Sequence, residues 1–284
     1  MKNSEGKIIS INKDLYSVLK GTEVFLCTVR GKLKNIKLTV GDNVLFNEEN
    51  KTIESVQDRK NTLIRPLISN IDKLFIVVSS KTPDFSTYLL DKFLVLSENN
   101  NIKPIIVITK LDIIPKEEKK SIMSTLKYYK KIGYKVYKNT EIRKIRKELK
   151  NSVSALGGQT GAGKSTLLNK IDKNLNLKTG EVSEALGRGK HTTRLVTLIP
   201  TCKGLIADTP GFSSLELNYK WNEISDGFKE FGYNCKYNTC NHTNVNGCDV
   251  IKRVNAGKIL KSRYDNYVKL IKEENHGRKW YFLK

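Results

Sequence analysis

The 284-residue sequence lacks long apolar runs, is short of acidic residues and contains few cysteines and histidines. It has no stretch of about 18 apolar residues, the length that a membrane-spanning helix needs. Residues Met1–Glu5 lead into alternating, strand-like sequence and not into an apolar signal region. We therefore expect a cytoplasmic protein with no membrane partner. The length predicts two or three domains, and 38% hydrophobic residues suffice for at least one core.

The shortage of acidic residues makes the chain strongly basic. Only 29 Asp and Glu stand against 51 Lys and Arg, which gives a net charge of +22. Such an excess raises the local concentration of polyanions, so a nucleic-acid partner is favoured. The alternative is a composition in which lysine is common throughout the source's proteins, because the basic residues are scattered and form no single block.

The few cysteines are unevenly placed, because three of the five fall within fourteen residues, beside one of only three histidines. Three thiolates and one imidazole form a full tetrahedral set for Zn²⁺ with no open position for catalysis. We predict one structural zinc ion, and metal binding in place of disulfides fits a reducing compartment. The alternative is four unrelated loop residues. The predicted ligands are Cys235, Cys240, His242 and Cys248.

The amino-terminal part consists of short apolar alternations separated by turn residues, which is typical of a small barrel. The five predicted strands are Lys7–Ile11, Tyr16–Leu19, Glu23–Arg30, Lys37–Leu45 and Thr52–Val56. We predict an OB-like β-barrel that binds RNA over residues 1–63. An SH3-like barrel or a purely structural cap remains an alternative.

Beyond Arg65-Pro66, unbroken apolar strands alternate with helical stretches, which predicts an α/β domain over residues 64–217. The predicted strands are Leu74–Val78, Pro104–Ile108, Tyr134–Tyr137, Val153–Leu156, Arg194–Ile199 and Gly204–Ala207. The predicted helices are Tyr88–Ser97, Lys116–Lys131, Glu141–Leu149 and Lys164–Lys170. From Trp221 the sequence becomes helical around the cysteine cluster, so we predict a mainly helical zinc-binding domain over residues 218–284. Its last part, Val250–Glu274, carries heptad-like apolar positions.

A phosphate-binding loop lies between the strand Val153–Leu156 and a helix. The pattern Gly-x4-Gly-Lys-Ser lets the backbone curl and aim its N–H groups at phosphate oxygens. Lys164 would reach the β and γ phosphates, and Ser165 would offer its hydroxyl to Mg²⁺. An ordinary glycine-rich turn does not explain Lys-Ser at this spacing. The predicted phosphate-binding residues are Gly158, Gln159, Thr160, Gly161, Ala162, Gly163, Lys164, Ser165 and Thr166.

Two later segments look like nucleotide switches. Asp208 follows an apolar strand, where its carboxylate could hold a Mg²⁺-bound water, and the N–H of Gly211 could meet the γ-phosphate. Upstream, Thr193 could close on Mg²⁺ when the γ-phosphate is present, with Thr192 as the near alternative. The alternative is two surface threonines with no such role.

The group that orients the attacking water is not evident. Phe212 follows Gly211, where many signalling GTPases have a glutamine, so we expect slow intrinsic hydrolysis. His191 could take the catalytic role. It could equally contact RNA or solvent.

Base recognition is predicted at Thr109-Lys110-Leu111-Asp112, which follows the strand Pro104–Ile108. The Asp112 carboxylate can accept hydrogen bonds from guanine N1–H and N2–H₂, a donor pair that adenine lacks. This element usually follows the phosphate loop, but here it precedes Lys164, so the domain is predicted to be circularly permuted. Permutation preserves the strand pairing where the old termini lie close together. It also connects the segment Asp208–Gly211 directly to the carboxyl-terminal domain.

Taken together, these features resemble the RsgA family of circularly permuted GTPases, and the resemblance covers nearly the whole chain. It is carried by the barrel, the phosphate loop, the cysteine cluster, Arg65-Pro66…Asn70-Ile71-Asp72, Thr109–Asp112, His191-Thr192-Thr193, Asp208–Phe212 and Arg263-Tyr264…Tyr267. The resemblance implies a monomeric GTPase of late 30S subunit maturation. Such a protein would bind 16S rRNA, hydrolyse GTP faster on the subunit and leave once GDP is formed.

Two positions depart from the family pattern. Lys138-Asn139-Thr140 stands where the family usually has a Ser-Ala element that packs around the guanine. Ala162 stands where the family commonly has valine, which changes little because backbone N–H groups bind the phosphate.

These features leave three classes of function: a GTP-hydrolysing ribosome-assembly factor, an ATP-using kinase or ATPase, and an RNA-binding module with a vestigial nucleotide site. The permuted order favours the first. An ATP-using enzyme should select ATP, whereas Asp112 predicts selection of guanine nucleotides. A vestigial site is disfavoured because Lys164, Ser165 and Asp208 are all present.

Overall fold

A computed structural model describes residues 3–29, 31, 36–175, 196–208, 217, 219–232, 234–243 and 245–281. Within these residues the chain forms a β-barrel, an α/β unit with a six-stranded sheet, and a helical unit, in that order. None of the helices in this part of the chain is long and apolar enough to cross a membrane.

The barrel strands are β1 (Asn3–Asn12), β2 (Leu15–Lys20), β3 (Glu23–Val29), β4 (Asn43–Asn47) and β5 (Thr52–Val56). The barrel is closed, with the strand order β1-β2-β3-β5-β4. Its neighbours pair antiparallel except β3 and β5, which are parallel, as in an OB-type barrel. Alternate residues face inward and form a buried core around Ile8, Val18 and Phe46. The predicted five-stranded OB-like barrel is therefore confirmed.

The fourth strand was predicted at Lys37–Leu45, and this was wrong, because β4 begins only at Asn43. The first half of the predicted strand is occupied by a turn, in which the Asp42 carboxylate accepts from the Thr39 N–H at 2.8 Å. Gly41 adopts a φ of 94° in this turn, a conformation that favours glycine. Leu38 and Val40 are buried without joining the ladder of β4, so their alternation indicated burial and not strand pairing.

The α/β unit contains a six-stranded sheet in the order β10-β9-β8-β11-β13-β12, parallel except for the edge strand β12. The strands are β8 (Lys73–Ser79), β9 (Lys103–Thr109), β10 (Lys135–Lys138), β11 (Val153–Gly157), β12 (Thr197–Thr201) and β13 (Gly204–Asp208). The helices are α1 (Thr87–Asn99), α2 (Lys116–Lys131), α3 (Ile142–Leu149) and α4 (Lys164–Ile171).

Both faces of this sheet are covered by helices, which explains the unbroken apolar strands. In β8, Leu74 and Ile76 pack toward α1 and α2, while Phe75 and Val77 pack toward α3 and α4. The strands β8, β9 and β11 run parallel, so their carboxyl ends meet at one edge of the sheet. This edge carries the candidate nucleotide site.

A short hairpin of β6 (Thr62–Ile64) and β7 (Leu67–Ser69) connects the barrel to the sheet. These strands were not predicted, because three-residue strands are too short to show a period. The barrel also packs on the α/β unit, since Ile9 and Val40 belong to the same buried cluster as the side chains on the sheet face that α1 and α2 cover.

The carboxyl-terminal unit contains α5 (Trp221–Asp226), α6 (Asp249–Asn255) and α7 (Lys261–Tyr281). The heptad-like stretch thus comprises two helices, separated where Gly257 adopts a φ of 66°. A buried cluster including Phe228, Phe231 and Tyr267 forms the core of this unit, and Val95 of α1 also belongs to it.

Candidate functional site

The glycine-rich segment joins the end of β11 to the start of α4 and wraps around the amino terminus of that helix. Gly158 has a φ of 137°, and a Cβ there would lie 2.1 Å from the Val77 carbonyl oxygen. Gly163, at the helix N-cap, has a φ of 92°. The backbone path therefore requires glycine at both positions and presents the positive end of α4 to an anion.

Lys164 is the first residue of α4, and its side chain curls back over the loop. Its Nζ donates to the carbonyl oxygens of Gly158 at 2.6 Å and Gln159 at 2.7 Å. Burial lowers the pKa of Lys164 to about 8. Since its partners are neutral carbonyls, an anionic phosphate in the loop would stabilise the ammonium more than they do.

The predicted guanine-recognition segment begins at the end of β9, next to the phosphate loop. Thr109 is buried, and its Oγ1 donates to the Ala162 carbonyl oxygen at 2.7 Å. Lys110 has a φ of 60°, whereas Leu111 is buried and Asp112 is exposed to solvent. The structure thus brings these two predicted segments together and leaves the Asp112 carboxylate accessible to a base.

The segment that departs from the family pattern lies beside the same strand end. Asn139 follows β10, and its N–H donates to the Ile108 carbonyl oxygen at 2.9 Å. Glu141 accepts from the Lys138 N–H at 2.8 Å and from Lys144 Nζ at 2.6 Å, and these bonds hold its pKa below the usual range. The Lys138–Thr140 turn is therefore fixed by its own hydrogen bonds, next to Thr109.

A third segment at this edge, residues 80–86, was not identified from the sequence. The Ser80 hydroxyl donates to the Lys110 carbonyl oxygen at 2.8 Å, and Lys110 Nζ donates to the Thr82 carbonyl oxygen at 2.5 Å. A Cβ on Gly161 would lie 3.6 Å from Pro83 Cδ, so this segment also lies against the phosphate loop. The only signal in the sequence was a run of small polar residues after the apolar strand β8.

Several predicted switch residues lie outside the described residues, namely His191, Thr192, Thr193, Gly211 and Phe212. Asp208 is described through its backbone as the last residue of β13. Since β13 pairs in parallel with β11, which leads into the phosphate loop, Asp208 lies on the same edge of the sheet as that loop.

The four predicted metal ligands come together in the carboxyl-terminal unit, with their ligand atoms within 4.8 Å of one another. His242 Nδ1 lies 3.5 Å from the sulfurs of Cys235 and Cys248, and these two sulfurs are 3.8 Å apart. A tetrahedral zinc ion with its usual bond lengths places two sulfurs roughly 3.8 Å apart and a sulfur and a nitrogen roughly 3.5 Å apart. The cluster therefore has the donors and the spacing of a four-coordinate metal site.

The surroundings of the cluster favour ligation. Burial lowers the pKa of His242, which keeps the imidazole in the neutral form that binds metals. Helix α7 holds the ligand loop, because the Tyr264 hydroxyl donates to the His242 carbonyl oxygen at 2.9 Å and the Tyr267 hydroxyl donates to that of Asn241 at 2.7 Å. The loop is thus supported by its own unit's longest helix.

Comparison with known sequences agrees with the resemblance to the RsgA family. The family model described as RsgA GTPase matches residues 56–218. A protein of Halalkalibacterium halodurans named small ribosomal subunit biogenesis GTPase RsgA is 42% identical over 283 residues, which cover 95% of this chain and 96% of that protein. A protein of the same name from Geobacillus kaustophilus is 43% identical, with coverage of 95% and 97%.

Two solved structures share the fold over nearly their whole length. The structure of YjeQ from Thermotoga maritima matches with a TM-score of 0.84 and 33% identity, covering 96% of this chain and 99% of that chain. The structure of YloQ, described as a circularly permuted GTPase, matches with a TM-score of 0.83 and 35% identity, covering 97% and 96%. The base-recognition segment precedes the phosphate loop here, and this permuted order agrees with that description. The chain therefore belongs to the RsgA GTPase family and is a circularly permuted GTPase.

Proposed function

We propose that this GTPase acts in late maturation of the small ribosomal subunit. It binds the 30S particle through 16S rRNA, hydrolyses GTP faster when bound, and leaves once GDP has formed. The observation that carries the proposal is the end-to-end match, at about 42% identity over 95% of the chain, to proteins named small ribosomal subunit biogenesis GTPases. The net charge of +22 and the OB-type barrel support an RNA partner.

In this proposal GTP and GDP bind at the edge of the sheet. Thr109, Lys110, Leu111 and Asp112 recognise guanine, and the phosphates lie in the loop of residues 158–166. Ser165, Thr193 and Asp208 would hold Mg²⁺, which neutralises the charge that develops on the phosphates. The Gly211 N–H meets the γ-phosphate, and His191 orients the attacking water.

Two further assignments complete the proposal. Cys235, Cys240, His242 and Cys248 hold one structural zinc ion, for which the spacing of their ligand atoms is suited. The chain works in the cytoplasm as a monomer, with an RNA-binding domain over residues 1–63, a GTPase domain over 64–217 and a zinc-binding domain over 218–284.

GTP hydrolysis with and without isolated 30S subunits tests the proposal, at two salt concentrations. We expect slow turnover alone and a clear increase with 30S subunits at low salt, which declines at high salt as phosphate contacts weaken. Isolated 50S subunits, which offer the same phosphodiester chemistry, are the matched control. No stimulation by 30S subunits at low salt, or equal stimulation by 50S subunits, would refute the proposed partner.

A further inference from the structure

Helix α7 of the carboxyl-terminal unit is joined to α1 of the α/β unit by a buried polar cluster. Asp91 and Arg263 are both 0% exposed, and Arg263 Nη1 donates to Asp91 Oδ1 at 2.7 Å. The Tyr129 hydroxyl donates to the same oxygen at 2.6 Å, and Asn266 Nδ2 donates to Asp91 Oδ2 at 2.6 Å. A buried carboxylate with three donors is satisfied only while both helices stay in this position.

The guanidinium of Arg263 is also fixed from its other side. Its Nε and Nη2 donate to the two oxygens of Glu230 at 2.7 and 2.8 Å, and the Phe228 ring centroid lies 4.3 Å from its Cζ. The planar guanidinium group is held in one orientation, because two carboxylates and an aromatic ring contact it. Helix α7 therefore has little freedom to slide along α1.

The cluster reaches the end of α1 that faces the nucleotide site. Asn266 Nδ2 also lies 3.1 Å from the hydroxyl of Thr87, the first residue of α1. Ser86 caps this helix, because its Oγ accepts from the Leu89 N–H at 3.2 Å. The first turn of α1 is thus held by α7 on one side and continues into residues 80–86 on the other.

Residues 80–86 in turn contact two parts of the candidate nucleotide site. The Thr82 carbonyl oxygen accepts from Lys110 Nζ at 2.5 Å, and Pro83 lies against Gly161 of the phosphate loop. The path from Asn266 to Lys110 therefore consists of the side-chain contact with Thr87, the backbone from Thr87 to Thr82 and the hydrogen bond from Lys110 Nζ to Thr82.

We propose that Asn266 and Arg263 are positioning residues for the guanine-nucleotide site, acting through Thr87 and residues 80–86. The docking of α7 on α1 then sets where Lys110 and the phosphate loop lie, and guanine-nucleotide affinity depends on it. This inference rests on the assignment of the base site to Thr109–Asp112. By linkage, bound nucleotide must stabilise the docked position of α7 to the same extent.

This coupling between α7 and the nucleotide site is distinct from the covalent link between the two units through residues 208–217, because it runs through side chains on α1 and α7. Helix α7 also holds the metal-ligand loop through Tyr264 and Tyr267. A disturbance of that loop by a bound partner would therefore reach the base site through the same helix.

The test is the affinity of fluorescent GDP for the intact protein and for two mild variants, Asn266→Ala and Thr87→Val. Each variant removes one side of the 3.1 Å contact, and we expect each to weaken binding about fivefold, within the usual range of coupling between sites. The double variant should be no weaker than Asn266→Ala alone, because Thr87→Val removes only a contact that Asn266→Ala has already removed. The control is Asp265→Asn on the same helix, where Asp265 pairs with Lys261 at the surface, and it should bind like the parent protein.

Hydrogen exchange supplies the reciprocal measurement. GDP should slow exchange along residues 261–274 in the parent protein, and this protection should be lost in Asn266→Ala. Parent-like affinity of Asn266→Ala, or additive losses in the double variant, would overturn the inference. The variant Asp112→Asn distinguishes failure of the coupling from failure of the base-site assignment. If Asp112→Asn weakens guanine-nucleotide binding while Asn266→Ala does not, the base-site assignment holds and the coupling is refuted. If Asp112→Asn has no effect, the base-site assignment itself fails.

Discussion

We propose that Asp112 selects the base, and its carboxylate is placed to do so, since it is exposed at the end of β9 beside the phosphate loop. We expect GTP and GDP to bind at least about tenfold more tightly than ATP, since adenine lacks the donor pair that a carboxylate accepts. Asp112→Asn should reduce guanine-nucleotide affinity by at least as much. Isothermal titration with GDP, ATP and XDP measures this.

Xanthine nucleotides sharpen this experiment, because xanthine has a carbonyl at C2 where guanine has an amino group. An asparagine amide can donate to that carbonyl and accept from N1–H, so Asp112→Asn should gain XDP affinity as it loses GDP affinity. Equal ATP and GTP affinities in the parent protein would refute the guanine assignment.

Thr109 connects the base segment to the phosphate loop through a single buried hydrogen bond to Ala162. Thr109→Val keeps the shape and removes the hydroxyl, so the Ala162 carbonyl loses its donor at a cost of about 1 kcal/mol in the free energy of unfolding. Because the loop loses support, GDP affinity should also fall severalfold. Urea denaturation and GDP titration measure the two effects.

The matched control for this variant is Thr125→Val, on the outer part of α2, whose hydroxyl donates to the Ser121 carbonyl oxygen. It should leave GDP affinity unchanged. If both variants behave alike in the titration, the bond from Thr109 does not support the nucleotide site.

Single residues were predictable from the sequence where their chemistry is tied to a fixed spacing. The glycines at 158 and 163 adopt the positive φ values that the pattern implies. Asp91 and Arg263 could not be assigned roles, because a buried ion pair 172 residues apart in the chain leaves no spacing to recognise. The local sign was a charged residue, Asp91, on the mainly apolar buried face of α1.

The predicted metal ligands lie in a loop of residues 235–248, which contains no helix or strand in the part that the structure describes. If one zinc ion holds it, a strong chelator should release about one equivalent of zinc and unfold the segment 232–249, because metal binding and folding are coupled here. Zinc release can be followed with a colorimetric indicator, and loss of structure by hydrogen exchange. Unchanged melting with no released metal would contradict the assignment.

Two single cysteine variants, one inside the cluster and one outside it, test the metal site. Cys240→Ser removes one ligand and should lower zinc content and melting temperature together. Cys202→Ser changes a cysteine in the turn between β12 and β13, outside the cluster, and should alter neither. Zinc loss in Cys202→Ser would mean that the metal is held elsewhere.

Elements were predictable where burial imposes a clear period or an unbroken apolar run. The α2 helix was predicted with the bounds it has, and the central strands within one or two residues. The fourth barrel strand was misplaced because the turn at Thr39–Asp42 depends on side-chain hydrogen bonds to Asp42, including one from Arg59 Nε at 2.7 Å. Such contacts between residues far apart in sequence have no periodic signature.

For the whole molecule, the order of motifs was more informative than any one of them. A phosphate loop alone indicates nucleotide binding, whereas its place after Asp112 predicted the permuted sheet that the structure has. What the sequence could not predict is how the units pack on one another. The barrel shares the sheet's core through Ile9, and α7 docks on α1 through Arg263, both by contacts that appear only after folding.

The charge of the whole chain predicts salt-sensitive binding to the ribosomal subunit, and the barrel suggests where some contacts lie. OB-type barrels bind oligonucleotides partly through the loops after β1 and β4. Lys13 lies in the first of these loops and Lys51 in the second, and both are exposed. If each contacts a phosphate, Lys13→Gln combined with Lys51→Gln should weaken 30S binding and reduce the slope of log K against log salt by roughly two.

The matched control is Lys116→Gln combined with Lys119→Gln, which removes two exposed charges from the first turn of α2, outside the barrel. It changes the net charge equally, so a purely nonspecific attraction would weaken equally in both double variants. A larger loss of slope in the barrel variant alone would identify its loops as phosphate contacts. Equal effects would mean that the charge acts through the long-range field of the molecule, and the RNA-binding role of the barrel would then be wrong.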